Sequence, residues 1–369
     1  MKKVLFVASV VKLHIMAFHI PYLKWFKENG YELHVAARND YENKADCKIP
    51  FCDQFHDLPF ERSPLKKNNL YVQIELRKII ESNEYKIIHC HTPIGGALGR
   101  IAARRARKKG TKVIYTAHGF HFLKGAPVKN WLIYYPIEKW LSRYTDVLIT
   151  INKEDYHRAK KSFKAGAVEY IPGVGVDINK FANVTVDKIA KRKELNLSED
   201  AFVVLSVGEL NKNKNHEVII KAIAKLNNPN IYYIICGQGP LEHYLKDLAD
   251  KLDIGDRVRL LGYRRDIPEI LKAADVFAFP SLREGLPVSL MEAMASGLPC
   301  AASRIRGNID LLRQQNEELF NPINENEVAS CILKMLNNKN KSKQMTKNIE
   351  VYSIENVLCI MRNIYEIYN

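Results

Sequence analysis

The chain has 369 residues, a length that suits two domains better than one core. Its 47% hydrophobic and 26% charged content argues against disorder, and no run of about eighteen apolar residues offers a transmembrane helix. The net charge of +15 is lopsided: residues 1–180 hold 31 Lys+Arg against 17 Asp+Glu, and residues 181–369 hold 25 against 24. A basic first half favours an anionic partner such as nucleic acid, anionic lipid or a phosphorylated acceptor. Seven scattered cysteines form neither a disulfide framework nor a Cys-x-x-Cys pair, which points to free thiols in a reducing cytoplasm.

Short apolar runs alternate with helical stretches, the pattern of an α/β protein with mostly parallel sheets. Residues 4–11 follow two lysines as a signal peptide does, but the run is short, lacks a cleavage site and leads into Lys12 and His14, so it reads as a buried strand. First-half strands are expected at 3–10, 32–37, 86–90, 112–117, 146–151 and 168–172. Helices fill 15–29, 70–82, 95–109, 128–143 and 153–163. Strands of the second half fall at 202–208, 231–236, 257–261, 275–280 and 299–302. Its helices fall at 215–227, 240–252, 267–273, 287–296, 308–314 and 325–337. The order breaks near 173–200, from Pro172-Gly173 into a Lys-rich helix, and this sets the boundary between domains 1–180 and 181–345. The Asn/Lys-rich piece from Asn337 reads as a solvated loop, and a last helix covers about 352–368.

Several motifs are missing. No Gly-x-Gly-x-x-Gly follows the first strand and no P-loop occurs, which argues against a dinucleotide dehydrogenase or a P-loop NTPase. No metal-ligand cluster is visible along the chain, and His89-Cys90-His91 reads as a strand end rather than a zinc site. The densest basic run, Arg100 to Lys112, serves equally as an anion-binding face or a solvated helix face.

The segment from Glu284 to Glu292 carries the most chemistry. Pro287 suits the first turn of a helix and Gly297 its stop, with Pro299 beyond. Glu284 then sits on the loop at the helix mouth and Glu292 on its body. Between them lie first-turn amides without intrahelical partners, a ready anion site. Two carboxylates around an amide nest suit a nucleotide-sugar: diphosphate at the amides, hydroxyls at the carboxylates.

This segment resembles the Glu-x7-Glu signature of the family-4 retaining glycosyltransferases. The flanking run from Gly262 to Ser303 resembles them too, through Leu-Gly-Tyr-Arg-Arg-Asp, Ala-Ala-Asp-Val-Phe-Ala-Phe-Pro-Ser and Gly-Leu-Pro-Cys-Ala-Ala-Ser. The resemblance implies the GT-B fold: α/β, two Rossmann-like domains facing across a cleft, with the C-terminal helix crossing back to the first. Residues 1–180 plus about 352–369 would bind acceptor, and 181–345 the donor. It places phosphate oxygens at the amides near Val288 and Ser289, beside Leu286, since Pro287 cannot donate. Donor-sugar hydroxyls fall to Glu284, ribose hydroxyls to Glu292, and the base to the loop Gly262-Tyr263-Arg264. Lys214 matches the family's phosphate lysine, but Glu209 stands where the family has an arginine. A carboxylate cannot neutralise a diphosphate, so Lys212, Arg264 or Arg265 must supply the charge or Glu209 must face another group. His118, at a strand's C-terminal end, matches the histidine beside the donor sugar, and with Glu284 forms the expected catalytic pair.

The loop from Val10 to His19 lacks the family's two glycines, so Lys12, His14 and His19 are read as serving the acceptor. His121 is equally a packing residue or an acceptor contact. Gly95 and Gly96 equally permit close ligand approach or simply make their turn. The aromatic stretch 120–144 is mainly core by this reading, yet with the basic half it fits a membrane interface. The implied enzyme is retaining and metal-independent and needs no cofactor. It moves a hexose or N-acetylhexosamine from a nucleotide-sugar, with a UDP-sugar favoured. The acceptor is a lipid-linked saccharide of surface polysaccharide synthesis such as capsule or lipopolysaccharide. It would sit in the cytoplasm, peripheral on the anionic inner face of the membrane, with no nucleic-acid partner. Two other classes remain open: a GT-B UDP-sugar epimerase, which would act with no acceptor, and a basic nucleic-acid-binding protein, which would not need the Glu-x7-Glu helix.

Overall fold

A computed structural model describes residues 1–312, 318–337 and 349–368. It divides into two compact units, Met1–Val174 with the residues from Val357 onward, and Gly175–Asn356.

The first unit is built on seven parallel strands: β1 Lys3–Val10, β2 Glu32–Arg38, β3 Gln54–Asp57, β4 Tyr85–His91, β5 Lys112–Ala117, β6 Val147–Thr150 and β7 Ala167–Tyr170. Their order is β3-β2-β1-β4-β5-β6-β7. Helices cover both faces of such a sheet, so central strands are apolar on both sides. Val4 to Ala8 of β1 are fully buried, as are Ile87 and Ile88 of β4. The strand order reverses between β1 and β4. Ligands of open α/β sheets collect at the carboxyl ends beside such a reversal.

Close helix-to-sheet packing has a local cause here. Helix Pro93–Ala102 carries Gly96 and Gly99, where a Cβ would overlap the Tyr115 ring and the Cys90 sulfur. Arg100 of the same helix is fully buried. Its guanidinium stacks on Tyr115 at 3.8 Å and donates to the Glu138 carboxylate at 2.8 Å. Arg100 therefore belongs to the core and not to a basic face. Arg107 pairs with Asp146 at 2.9 Å, and Arg104 lies over the Tyr144 ring at 4.4 Å.

The second unit holds β8 Phe202–Val207, β9 Ile231–Cys236, β10 Val258–Leu260, β11 Val276–Phe279, β12 Cys300–Ser303 and β13 Glu318–Phe320, all parallel, in the order β10-β9-β8-β11-β12-β13. Here the reversal lies between β8 and β11. The loops that leave those two strands carry Lys214 and Glu284.

The last helix, Ile354–Ile367, crosses back to the first unit, where Tyr365 packs on Phe26 with ring centroids 4.6 Å apart. Several expected elements differ. β3 and β13 were not anticipated. The helix expected at 15–29 is a π-helical turn, Val11–Ile15, then short helical pieces and Ile20–Glu28 with Pro21 in its first turn. The helix expected at 95–109 divides at Ala103. The Asn/Lys-rich piece after Asn337 lies outside the described residues, as do the last two positions of the helix expected at 308–314.

Candidate active site

Helix Val288–Ala295 starts after Pro287, whose extended backbone offers no side-chain cap, and Gly297 ends it at φ +77°. Gly297 N–H donates to Met294 O at 3.0 Å and Leu298 N–H to Ala293 O at 3.1 Å, closing the carbonyl end. The amides of Val288 and Ser289 at the other end thus have no side-chain acceptor. Their orphan N–H groups and the helix dipole favour an anion.

Glu284 stands on the loop before this helix, half-buried. Lys214 Nζ donates to its carboxylate at 2.8 Å. The lysine reaches it across Gly208, where a Cβ would stand 3.2 Å from Lys214 Cε, and its ammonium lies 4.8 Å from the centre of the Phe279 ring. Two asparagines tie the lysine turn to the same loop. Asn213 Nδ2 donates to Arg283 O at 3.0 Å, and Asn215, in the left-handed region at φ +54°, donates to Pro280 O at 3.2 Å. From the other side Arg306 Nε donates to Glu284 O at 3.0 Å, and a Cβ on Gly307 would overlap Gly285 O. Arg306 and Gly307 are site residues the sequence reading passed over. Their only signal was a cation and a glycine just after a short apolar strand.

Glu292 lies in the second turn of the helix. Desolvation pushes its carboxyl up to about 7, with Lys180 pulling partly the other way. Leu286, on the loop between the two glutamates, is buried. Arg264 is bound on three sides: it donates to Asp266 at 2.8 and 2.6 Å and to Glu194 at 2.8 Å. These hydrogen bonds hold its pKa above the usual arginine value. As a source of free charge for a diphosphate, Arg264 is therefore already committed. Lys212, Arg265 and Glu209 are exposed.

In the first unit the carboxyl ends of β1 and β4 face a group of imidazoles. His14 and His19 come from the segment after β1, His91 ends β4, and His118 follows β5. Their ring nitrogens include one atom from each residue within 4.8 Å of the other three. His14, His19 and His91 are buried, and His118 is half-buried. Burial lowers all four pKa values; that of His118 falls to about 4. Thr92, next to His91, holds φ +61°, a strained value for a β-branched residue. Its hydroxyl accepts from Ser9 N–H at 3.1 Å and bonds Ser9 Oγ at 2.7 Å, which fixes the turn. His118, His14 and His19, expected from the sequence, are thus brought together, and His91 joins them. Lys12 and His121 stand apart. Lys12 lies over Tyr41 at 5.5 Å, and His121 stacks on Tyr134 with centroids 4.8 Å apart.

Comparison with known proteins decides the family. The model described as glycosyl transferases group 1 matches residues 187–351, and glycosyl transferase 4-like matches 3–152. EpsD of Bacillus subtilis (strain 168), a protein named as a glycosyltransferase, is 46% identical over 316 residues, covering 85% of this chain and 81% of that one. The chain belongs to the group 1, family-4-like glycosyltransferases. An Escherichia coli UDP-Gal:alpha-D-GlcNAc-diphosphoundecaprenol alpha-1,3-galactosyltransferase is 36% identical over 259 residues, 68% of this chain and 66% of its own. Among solved structures, Anabaena HepE in complex with UDP and glucose superposes with a TM-score of 0.77 at 21% identity, covering 99% of this glycosyltransferase and all of that chain. That likeness bears on the fold, which is GT-B.

Proposed function

We propose that this glycosyltransferase moves a hexose or N-acetylhexosamine from a UDP-sugar to a lipid-linked saccharide, with retention of configuration, during surface polysaccharide synthesis. The observation that carries this reading is the Lys214–Glu284 pair at the mouth of helix Val288–Ala295. When a donor binds, the Lys214 ammonium turns to the diphosphate and the amides of Val288 and Ser289 take the remaining phosphate oxygens. Glu284, released from the lysine, accepts hydrogen bonds from sugar hydroxyls, and Glu292 from the ribose. The charge that develops on the leaving diphosphate is met by fixed dipoles and a point charge, so no metal is needed at the phosphates. His118 contributes to catalysis from the first unit, and Lys12 and His121, which are not buried, serve the acceptor; the buried His14 and His19 act there only through the group they form. The UDP-sugar and the diphosphate-lipid acceptor named for the E. coli relative support the choice of substrates.

The acceptor class also suits the surface of the first unit. On helix Val128–Leu141 the side chains of Val128, Leu132, Ile133, Ile137 and Trp140 are exposed. Lys124, Lys129 and Lys139 flank them. Apolar anchors with basic neighbours suit an anionic membrane face, and none of the described helices is long and apolar enough to cross a membrane. The test is a donor screen that follows nucleotide release with a membrane extract as acceptor. Release from a UDP-sugar that depends on the extract is expected. Turnover of a UDP-sugar to its epimer with no acceptor would replace this reading.

A further inference from the structure

We propose that the first unit binds a divalent d-block cation, zinc by preference, through His14, His19, His91 and His118. The inference rests on that unit alone and does not depend on the donor reading.

Four imidazoles from three separate stretches of chain converge at the carboxyl ends of β1 and β4, with one ring nitrogen of each within 4.8 Å of the others. Three of them are more than nine-tenths buried. Among the described residues these nitrogens have no partner: His14 Nε2, both nitrogens of His19, both of His91 and His118 Nε2. A buried polar atom without a partner is costly, so a cluster of them points to something bound among the rings. His89 is the internal control. It is equally buried and touches His91, with ring centroids 4.0 Å apart. Yet its two nitrogens are satisfied by Tyr365 Oη at 2.7 Å and Thr116 Oγ1 at 2.8 Å. The fold therefore supplies hydrogen bonds to the histidine outside the group and withholds them from the four inside it.

The chemistry of the group selects a cation over an anion. A neutral imidazole donates a lone pair to a metal, and the group brings four such donors to one point. A phosphate would favour protonated rings, and four of those at this spacing would repel one another. An all-imidazole set suits zinc, copper, nickel or cobalt and is a poor site for magnesium or calcium, which demand oxygen ligands. Local geometry is built for convergence: the π-helical turn Val11–Ile15 brings His14 against His19, five residues on, with ring centroids 4.8 Å apart. Strained or π-helical backbone clusters at functional sites, and here Thr92 and this turn flank the group on two sides. A zinc–nitrogen bond of about 2.0–2.1 Å requires the rings to draw together by rotation of their side chains.

The experiment uses the full chain, stripped with a chelator and titrated with zinc by calorimetry, with bound metal counted after desalting. About one equivalent is expected. Cobalt in its place should give the visible absorption of a four-coordinate nitrogen site. Substitutions His91→Gln and His19→Gln should each weaken zinc binding by about 100-fold or more, beyond the effect of losing an outer-shell partner. His118→Gln, at the half-buried position, keeps the test open if the buried variants do not fold. His243→Ala, on the surface of the second unit, should bind as wild type. Zinc binding unchanged in the three cluster variants, or no binding by the wild-type chain, would overturn the proposal. Stabilisation of metal-free protein by inorganic pyrophosphate through the same histidines, with no effect of zinc, would also overturn it and assign an anion site instead.

Discussion

Lys214 of the second unit has its counter-charge at 2.8 Å in Glu284, whereas His19 and His91 of the first unit hold four buried nitrogens with no partner among the described residues. Both groups stand at a strand-order reversal of a parallel sheet, so topology alone does not account for the contrast. The second unit stores its charged groups as ion pairs, and under the proposed function a donor exchanges the one between Lys214 and Glu284. Lys214 with Glu284, and Arg264 with Asp266 and Glu194, are instances. Such pairs keep half-buried charges soluble and aimed while no donor is present. The first unit holds neutral rings by packing, and neutral rings need no counter-charge. On the two proposals, one region trades partners upon binding and the other gains them.

Substitutions that remove one side of the exchange test this contrast most severely. Glu284→Ala should lower kcat by about 10²–10³-fold, the scale of losing one group aimed at the reacting centre. It should also leave Lys214 free to hold the product nucleotide, so the Kd for free UDP should not weaken. Lys214→Ala should cost about 10²-fold in kcat/KM, with partial recovery in Lys214→Arg, because a displaced cation still meets the phosphates. A Lys214→Ala enzyme with wild-type kinetics would remove the diphosphate role. Gly307→Ala comes next. Its new methyl would press on Gly285 O and shift the Glu284 loop, so a fall of about 10-fold in kcat with an unchanged fold is expected from misplacement alone.

Glu292 gives the smallest and most pH-dependent effect. Its carboxyl titrates near 7, raised from about 4.5. Ribose hydroxyls are better accepted by the ionised form, so the donor KM should fall as pH rises from 6 to 8, and Glu292→Gln should flatten that profile. The stability sign follows from the same shift. Between about 4.5 and 7 the folded chain binds more protons at this site than the unfolded one, so this group's contribution falls as pH rises through that window. Melting curves should show Glu292→Gln gaining on wild type from pH 5 to pH 8. A constant difference would mean that Glu292 is not the desolvated group.

Much of this was legible in the sequence, for reasons that differ by region. Apolar runs such as Val203–Leu205 mark buried parallel strands, and Pro287 and Gly297 bracket their helix unmistakably. β3 was missed because Gln54–Asp57 is a short, partly exposed strand with no apolar run, and β13 because it has only three residues. Local chemistry placed Glu284 at the helix mouth and the family resemblance picked out Lys214, but nothing in the sequence said that they pair across 70 positions. Arg264 looked free because Glu194 lies equally far away, although Asp266 was two residues off. The histidine group was the least readable feature. Its members come from three segments, so no ligand spacing gathers all four along the chain, and His91, which does end its strand, gains its neighbours only where β1 and β4 lie side by side.

The most direct test of the account is a donor screen on the wild-type chain and Glu284→Ala in parallel, with UDP-, GDP-, ADP- and CMP-sugars and a membrane extract as acceptor. The account predicts nucleotide release from a UDP-sugar that requires the extract and is lost in the variant. Silence across every donor, with no thermal shift from any of them, would contradict it.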